Sequence, residues 1–424
     1  MWENEERKNR IRNIVVSLLL IAATAGLLFA MLTVIKQTAD EEIILKEASS
    51  NQRQKLNDAY QENLEAINNA YKQDMEVVNT YLPGIVCWGD SLTAGSFGNI
   101  SYPSTLQKYL DAHLCDIYDF HSTIEDALDY SRLEWEDYTV SIPVVNMGSG
   151  EENTATILGR SGVVPYVVAD GFEIPAEAEG VSITIRSENG ETVTPLTAGN
   201  AGVNPVTIAG VEGIIARTTE GDATYLFTRT EAGESVSVEK GEKIVTASEN
   251  QYQNYLHIVW MGTYGDYTSP EKLVSDTKAL LTHQVGNNDR YLVLGPCTVR
   301  GKWNNTPSND MDAIDSAMLQ AFGNHYVNIR KYLLEDGIAD GNLELSEEDI
   351  QLVQSGIVPT GFRSNASGAD LNAAAYKLIG KLVYERMDNL GYFDEIRDEL
   401  GLNKTTQEIL KTDPMYFEYI LNAK

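Results

Sequence analysis

Gly84-Ile85-Val86-Cys87-Trp88-Gly89-Asp90-Ser91-Leu92-Thr93-Ala94-Gly95 runs four consecutive apolar residues, Ile85 to Trp88, straight into a Gly-Asp-Ser turn. A short apolar run bounded by turn residues reads as a buried strand, and Leu82-Pro83-Gly84 marks where it starts. In a doubly wound sheet ligands bind just beyond the carboxyl ends of the strands. Ser91 therefore lies where a nucleophile would work, although a serine in a strand-to-loop turn is ordinarily no more than a turn residue.

Outward from this stretch the same rhythm repeats. PVVNMG (143–148), HIVWMG (257–262), RYLVLG (290–295) and YVNI (326–329) are further strand candidates. Helical patterns lie among them at SYPSTLQKYLDAHL, SPEKLVSDTKALLTH and DMDAIDSAMLQAF, with a last one at LNAAAYKLIGKLVYERMDNL. Near-continuous apolar strands separated by helices predict an α/β fold with a parallel sheet covered on both faces. Residues 163–249 break the rhythm. They are dense in Val, Thr and Gly, alternate with period two in VSITIRS and SVSVEK, and carry turn signals at Glu188-Asn189-Gly190 and Lys240-Gly241-Glu242. This predicts a small all-β subdomain inserted into the α/β domain, which occupies 83–162 and 250–395.

The beginning of the chain differs in kind. Asn13 to Ile35 is 23 residues without a charge, and a spanning helix needs about 20. The apolar core of a cleaved leader is only about 7–15 residues, so 13–35 reads as an uncleaved membrane anchor. Arg7, Lys8, Arg10 and Arg12 precede it and Asp40, Glu41 and Glu42 follow, which predicts a cytoplasmic N-terminus (1–12) and an extracytoplasmic main domain. Residues 37–82 lack Gly and Pro and favour helix. Tyr60, Leu64, Ile67, Tyr71 and Val78 follow a coiled-coil spacing that Asp74 interrupts, so the segment reads as a helical stalk through which copies of the chain could pair. Residues 396–424 read as a helical tail.

The net charge of -30 repels nucleic acid and anionic lipid surfaces, and otherwise describes a solvated acidic exterior. Cys87, Cys115 and Cys297 allow at most one disulfide and read as structural. The five histidines and three cysteines show no zinc-site pattern, His113 and Cys115 being a lone pair, so no metal is signalled, and no organic cofactor is called for.

The run IVCWGDSLTAG closely resembles the first block of the SGNH (GDSL-type) hydrolase family, and the resemblance extends over about 84–162 and 250–393. It implies a three-layer α/β/α fold, Ser91 as nucleophile, and a serine ester hydrolase removing acyl groups from a carbohydrate or similar ester. Val144-Val145-Asn146-Met147-Gly148-Ser149-Gly150 looks like the second block, whose glycine N–H serves the oxyanion hole; that role falls to Gly150, with Gly148 as second choice.

Two blocks depart from the family. Its third block has Gly-x-Asn after a strand, where this chain has Gly262-Thr263-Tyr264; a literal match at Gly286-Asn287-Asn288-Asp289 precedes a strand and so falls at the wrong end of the sheet. Its last block has Asp-x-x-His-Leu-Asn, with the histidine as general base. Aligned on Leu371-Asn372, Asp370 stands for that histidine and Ser367 for the aspartate; aligned on Ser364, Asn365 replaces the aspartate. Neither gives a dyad, and a serine hydroxyl is a poor nucleophile without a base. Of the histidines only His121 is a candidate for a relocated base. Two readings follow: an impaired extracytoplasmic esterase whose residues are Ser91, Gly150 and Asp370, or a catalytically silent surface protein that binds or builds.

Overall fold

The structure, a computed structural model, describes residues 39–95, 100–113, 141–218, 224–265, 267–285, 290–298, 308–364 and 370–400, together with Thr24. It divides into two compact units. In the first, the described chain is dominated by a helix, α1 (Ala39–Tyr81), 43 residues long and about 65 Å end to end at helical rise. The absence of helix breakers across the predicted stalk gives it this length. The anchor segment 13–35, Thr24 apart, and the tail beyond residue 400 lie outside the described residues. Among the described residues no helix is long and apolar enough to cross a membrane.

The second unit is mixed α/β. Its parallel sheet contains β1 (Ile85–Gly89), β2 (Val144–Gly148), β11 (Leu256–Trp260), β12 (Tyr291–Leu294) and β13 (Tyr326–Val327), with eight strands of the insertion intervening in sequence between β2 and β11. The spatial order is β13-β12-β11-β1-β2. β1 and β11 are buried along their whole length because neighbours flank them on both sides and helices cover both faces. Trp88, Val259, Val293 and Ile314 share one core cluster. The runs of β1 and β11 thus become strands for the reason the sequence suggests, since only a doubly covered sheet buries them completely, whereas β2 at the sheet edge is only partly buried. The strand predicted over 326–329 stops at Val327. The side chain of Asn328 accepts the Lys331 N–H at 2.8 Å and starts a helix instead.

The insertion forms a closed barrel, β10-β3-β5-β8-β7-β6, from β3 (Tyr166–Val168), β5 (Val181–Ser187), β6 (Val206–Ile208), β7 (Val211–Arg217), β8 (Thr224–Arg229) and β10 (Lys243–Val245). A separate ribbon pairs β4 (Phe172–Ile174) with β9 (Val236–Val238). The alternating residues Ile183, Ile185, Ile215, Tyr225 and Phe227 point into one core, so the barrel is filled by side chains and has no lumen. Closure removes the open sheet edges that a small all-β unit would otherwise expose.

Candidate functional site

In chain order the sheet strands lie 2-1-3-4-5, so the connection reverses direction between β1 and β11. That is the topological switch point, where ligands of open α/β sheets bind. Ser91 leaves the end of β1 and Tyr264 leaves the end of β11, and the two hydroxyls meet: Ser91 Oγ lies 2.8 Å from Tyr264 OH. The Ser91 turn is held by Asp90, whose Oδ1 accepts the Leu92 N–H at 3.0 Å. Tyr264 is aimed back by a turn that needs glycine at both ends, with φ of 108° at Gly262 and 81° at Gly265. Ser91 is only 8 % exposed.

The electrostatics of this pair are one-sided. Burial is the largest influence on Tyr264 and pushes its phenol up to about 12; the Ser91 hydrogen bond pulls the other way, while the carboxylates of Asp90, Asp370 and Glu151 add to the rise. The phenol is therefore protonated at neutral pH. Asp370, predicted to stand where the family has its histidine, is thus within electrostatic reach of Tyr264. It is placed by the Arg363–Leu371 bridge, by the Ser364 N–H donating to its carbonyl at 3.1 Å, and by Asn372, which caps the helix Ala373–Asn389. Ser367 and Asn365 lie outside the described residues, as does the Gly286–Asp289 run.

The glycine loop after β2 is also sorted by geometry. The Gly148 N–H donates to the Asn146 side chain at 2.9 Å, so it is committed. A Cβ at Gly148 would fall 2.1 Å from the Ala94 nitrogen, behind the Ser91 turn. Gly148 is therefore a packing glycine. Gly148→Ala is expected to push β2 off that turn and to destabilise the fold by about 1–3 kcal/mol, measured by chemical denaturation. The Ser149 N–H donates to the Gly89 carbonyl at 3.2 Å. Among the described residues nothing engages the Gly150 N–H. A side chain at Gly150 would meet Ala198 Cβ at 2.8 Å, so the insertion reaches this loop.

Sequence reasoning missed Arg160. It is completely buried, its Nε donates to Glu152 Oε2 at 2.7 Å, and one terminal nitrogen donates both to the Gly89 carbonyl (2.9 Å) and to the Met147 carbonyl (2.6 Å). The guanidinium also stacks over Trp88, 5.3 Å from the ring centre. One side chain thus ties the ends of β1 and β2 to the loop that carries Gly150. The only signal in the sequence is a glutamate eight residues before an arginine that ends the apolar helix TATILGR.

No histidine side chain described here reaches Ser91. His257 is neutral: burial pulls it down to about 4, its Nδ1 accepts from Trp88 Nε1 at 3.0 Å and its Nε2 meets the Tyr252 carbonyl at 2.9 Å. His325 stacks on Tyr291 with ring centres 4.4 Å apart, and His283 lies in the last turn of the helix Pro270–Val285. His121 lies outside the described residues. Cys87 and Cys297 are buried free thiols. No group of His, Cys, Asp or Glu side chains among the described residues could hold a metal ion.

No family model matches the chain, and no curated protein matches it. Among solved structures it is similar to one described as a peptidoglycan O-acetylesterase in action, at 11 % identity over 78 % of this chain and 96 % of that one, with a TM-score of 0.28. A likeness that loose carries no argument about the chemistry of Ser91.

Proposed function

We propose that the chain is a membrane-anchored, extracytoplasmic protein of the SGNH hydrolase type whose serine site is catalytically silent and which serves at the surface as a binding or structural module. The observation that carries this reading is the contact between Ser91 Oγ and Tyr264 OH at 2.8 Å, with the phenol held near 12. A general base must accept the serine proton in the transition state, and it does so best when its own pKa lies near the working pH. A protonated phenol cannot take that proton at neutral pH, whichever of the two hydroxyls donates in their contact. Acyl transfer also builds negative charge on an oxyanion. Asp90, Asp370 and Glu151 all raise the neighbouring phenol, and the same field opposes that oxyanion. The uncharged run 13–35, read from the sequence as an anchor, and the long helix Ala39–Tyr81 support a role at a surface.

Reaction of the full-length chain with a fluorophosphonate tests the reading. At pH 7.5 the expected result is no labelling above that of Ser91→Ala; Ser91-dependent labelling at that pH would overturn it. An esterase reading retains one observation in its favour, since Tyr264 is in hydrogen-bond contact with Ser91 and becomes a base once ionised. Its signature is a labelling rate that rises about tenfold per pH unit toward 12 and is abolished in Tyr264→Phe.

A further inference from the structure

Residues 194–203, between β5 and β6 of the barrel, bring the insertion to the serine site. The Cβ that a side chain at Gly150 would carry falls 2.8 Å from Ala198 Cβ. Gly150 lies two residues past the end of β2, as Ser91 lies two past the end of β1, and the two strands pair with Gly148 opposite Gly89. The residues after Gly150 join the same site. Glu151 acts on Tyr264, and Thr154 Oγ1 donates to the Gly265 carbonyl at 3.1 Å. Ala198 therefore stands at the edge of the Ser91 site and not on a remote face of the barrel.

The loop is held in this place from both sides. From the barrel, the Asn204 side chain exchanges two hydrogen bonds with the backbone of Ile215 in β7, both 2.8 Å, and Tyr225 OH donates to the Pro195 carbonyl at 3.1 Å. From the α/β domain, Thr156 Oγ1 accepts the Thr194 N–H at 3.1 Å, and Arg160 donates to the Ala201 carbonyl at 3.4 Å. Leu196 and Ala201 have φ of 63° and 38°, a left-handed backbone that persists in such residues only where the surroundings over-determine it, as they do beside functional sites. The tip, Thr197 to Asn200, is exposed and uncharged, so it excludes by shape and not by charge. We infer that Ala198 and its loop form one wall of the Ser91 site and set the size of the group that can reach the serine. This concerns access alone and goes beyond the reading above, since it holds whether Ser91 is silent or reactive.

Replacing Ser91 by cysteine turns access into a measurable rate. Cys87 and Cys297 are buried, and Cys115, outside the described residues, is replaced by Ser. The full chain with Ser91→Cys and Cys115→Ser then offers the thiol at 91 to reagents of graded size. Adding Ala198→Trp is expected to slow fluorescein maleimide about tenfold or more while slowing iodoacetamide less than about twofold, the kind of discrimination a pocket wall gives. Ala198 is exposed, so the larger side chain has no core to disrupt. Equal slowing of both reagents, or of neither, would overturn the proposal, as would a thiol at 91 that iodoacetamide fails to reach in the parent. Should the tryptophan chain not fold, Gly150→Cys with Ala198→Cys, in the Cys115→Ser background and with Ser91 intact, tests the contact itself. Neither position has a positive φ, and relaxation by about an ångström brings the two Cβ atoms to the spacing of a disulfide. Oxidation is expected to remove both thiols from an Ellman count on the native protein and to restore them on reduction; two thiols that survive oxidation would overturn the assignment of this loop to the serine site.

Discussion

Arg160→Met is expected to lower the stability of the folded chain by about 3–5 kcal/mol, read from the denaturant midpoint and slope. The arginine is buried together with Glu152, which is 1 % exposed, and one oxygen of that glutamate already lacks a partner. Removing the guanidinium leaves a carboxylate in the interior with no opposite charge, and leaves the Gly89 and Met147 carbonyls without their donor. Breaking one side of a buried pair costs far more than the pair contributes, because an uncompensated charge remains. Arg160→Met combined with Glu152→Gln is therefore expected to be more stable than Arg160→Met alone. If the single variant loses less than about 1 kcal/mol, the value of a surface ion pair, Arg160 does not hold the ends of β1 and β2 as described. The consequence for the site is direct, since those two strand ends carry Ser91 and the Gly150 loop.

The parallel sheet was legible because full burial leaves a plain mark: Ile85–Trp88 and Leu256–Trp260 are apolar without interruption, and nothing but a central strand position uses them so. The end of β13 was not, because a strand residue and a helix cap compete at Asn328 and the cap prevails through its hydrogen bond to Lys331. The insertion was legible as β structure from alternation in 181–187 and 236–239. Its closure depends on β10 pairing with both β3 and β6, contacts between residues far apart in sequence, which alternation does not encode. At the site, the placement of Ser91 followed from strand and turn alone. Tyr264 could be recognised as standing in the wrong block, but its approach to Ser91 rests on backbone angles at Gly262 and Gly265 that only the folded loop displays. Arg160 was hidden for the same reason, its partners being gathered from separate segments.

Installing the third and last blocks of the family that the sequence resembles is the stronger test of the proposed silent site. In the combined variant Tyr264→Asn, Ser367→Asp and Asp370→His, labelling of Ser91 by a fluorophosphonate at pH 7.5 is expected to rise by about a thousandfold or more over the parent. Removing one member of a nucleophile–base unit costs on the order of 10⁴–10⁶ in turnover, so partial recovery of that unit is large on the scale of the experiment. Each change has its own reason. Asn in place of Tyr264 removes the protonated phenol 2.8 Å from Ser91 Oγ and offers an amide donor. His in place of Asp370 supplies a base that titrates near neutrality and deletes one of the three carboxylates that raise the phenol. Asp at 367 follows the spacing of the resembling family and orients the imidazole. The changes should be strongly non-additive: Tyr264→Asn alone frees the hydroxyl but provides no base, and Asp370→His alone leaves the phenol in place, so neither single variant should approach the combination. A folded triple variant that labels no faster than the parent would place the fault elsewhere, in the Gly150 loop or in the field of Asp90 and Glu151, and would show that the serine end of this sheet is no longer one or two residues away from catalysis.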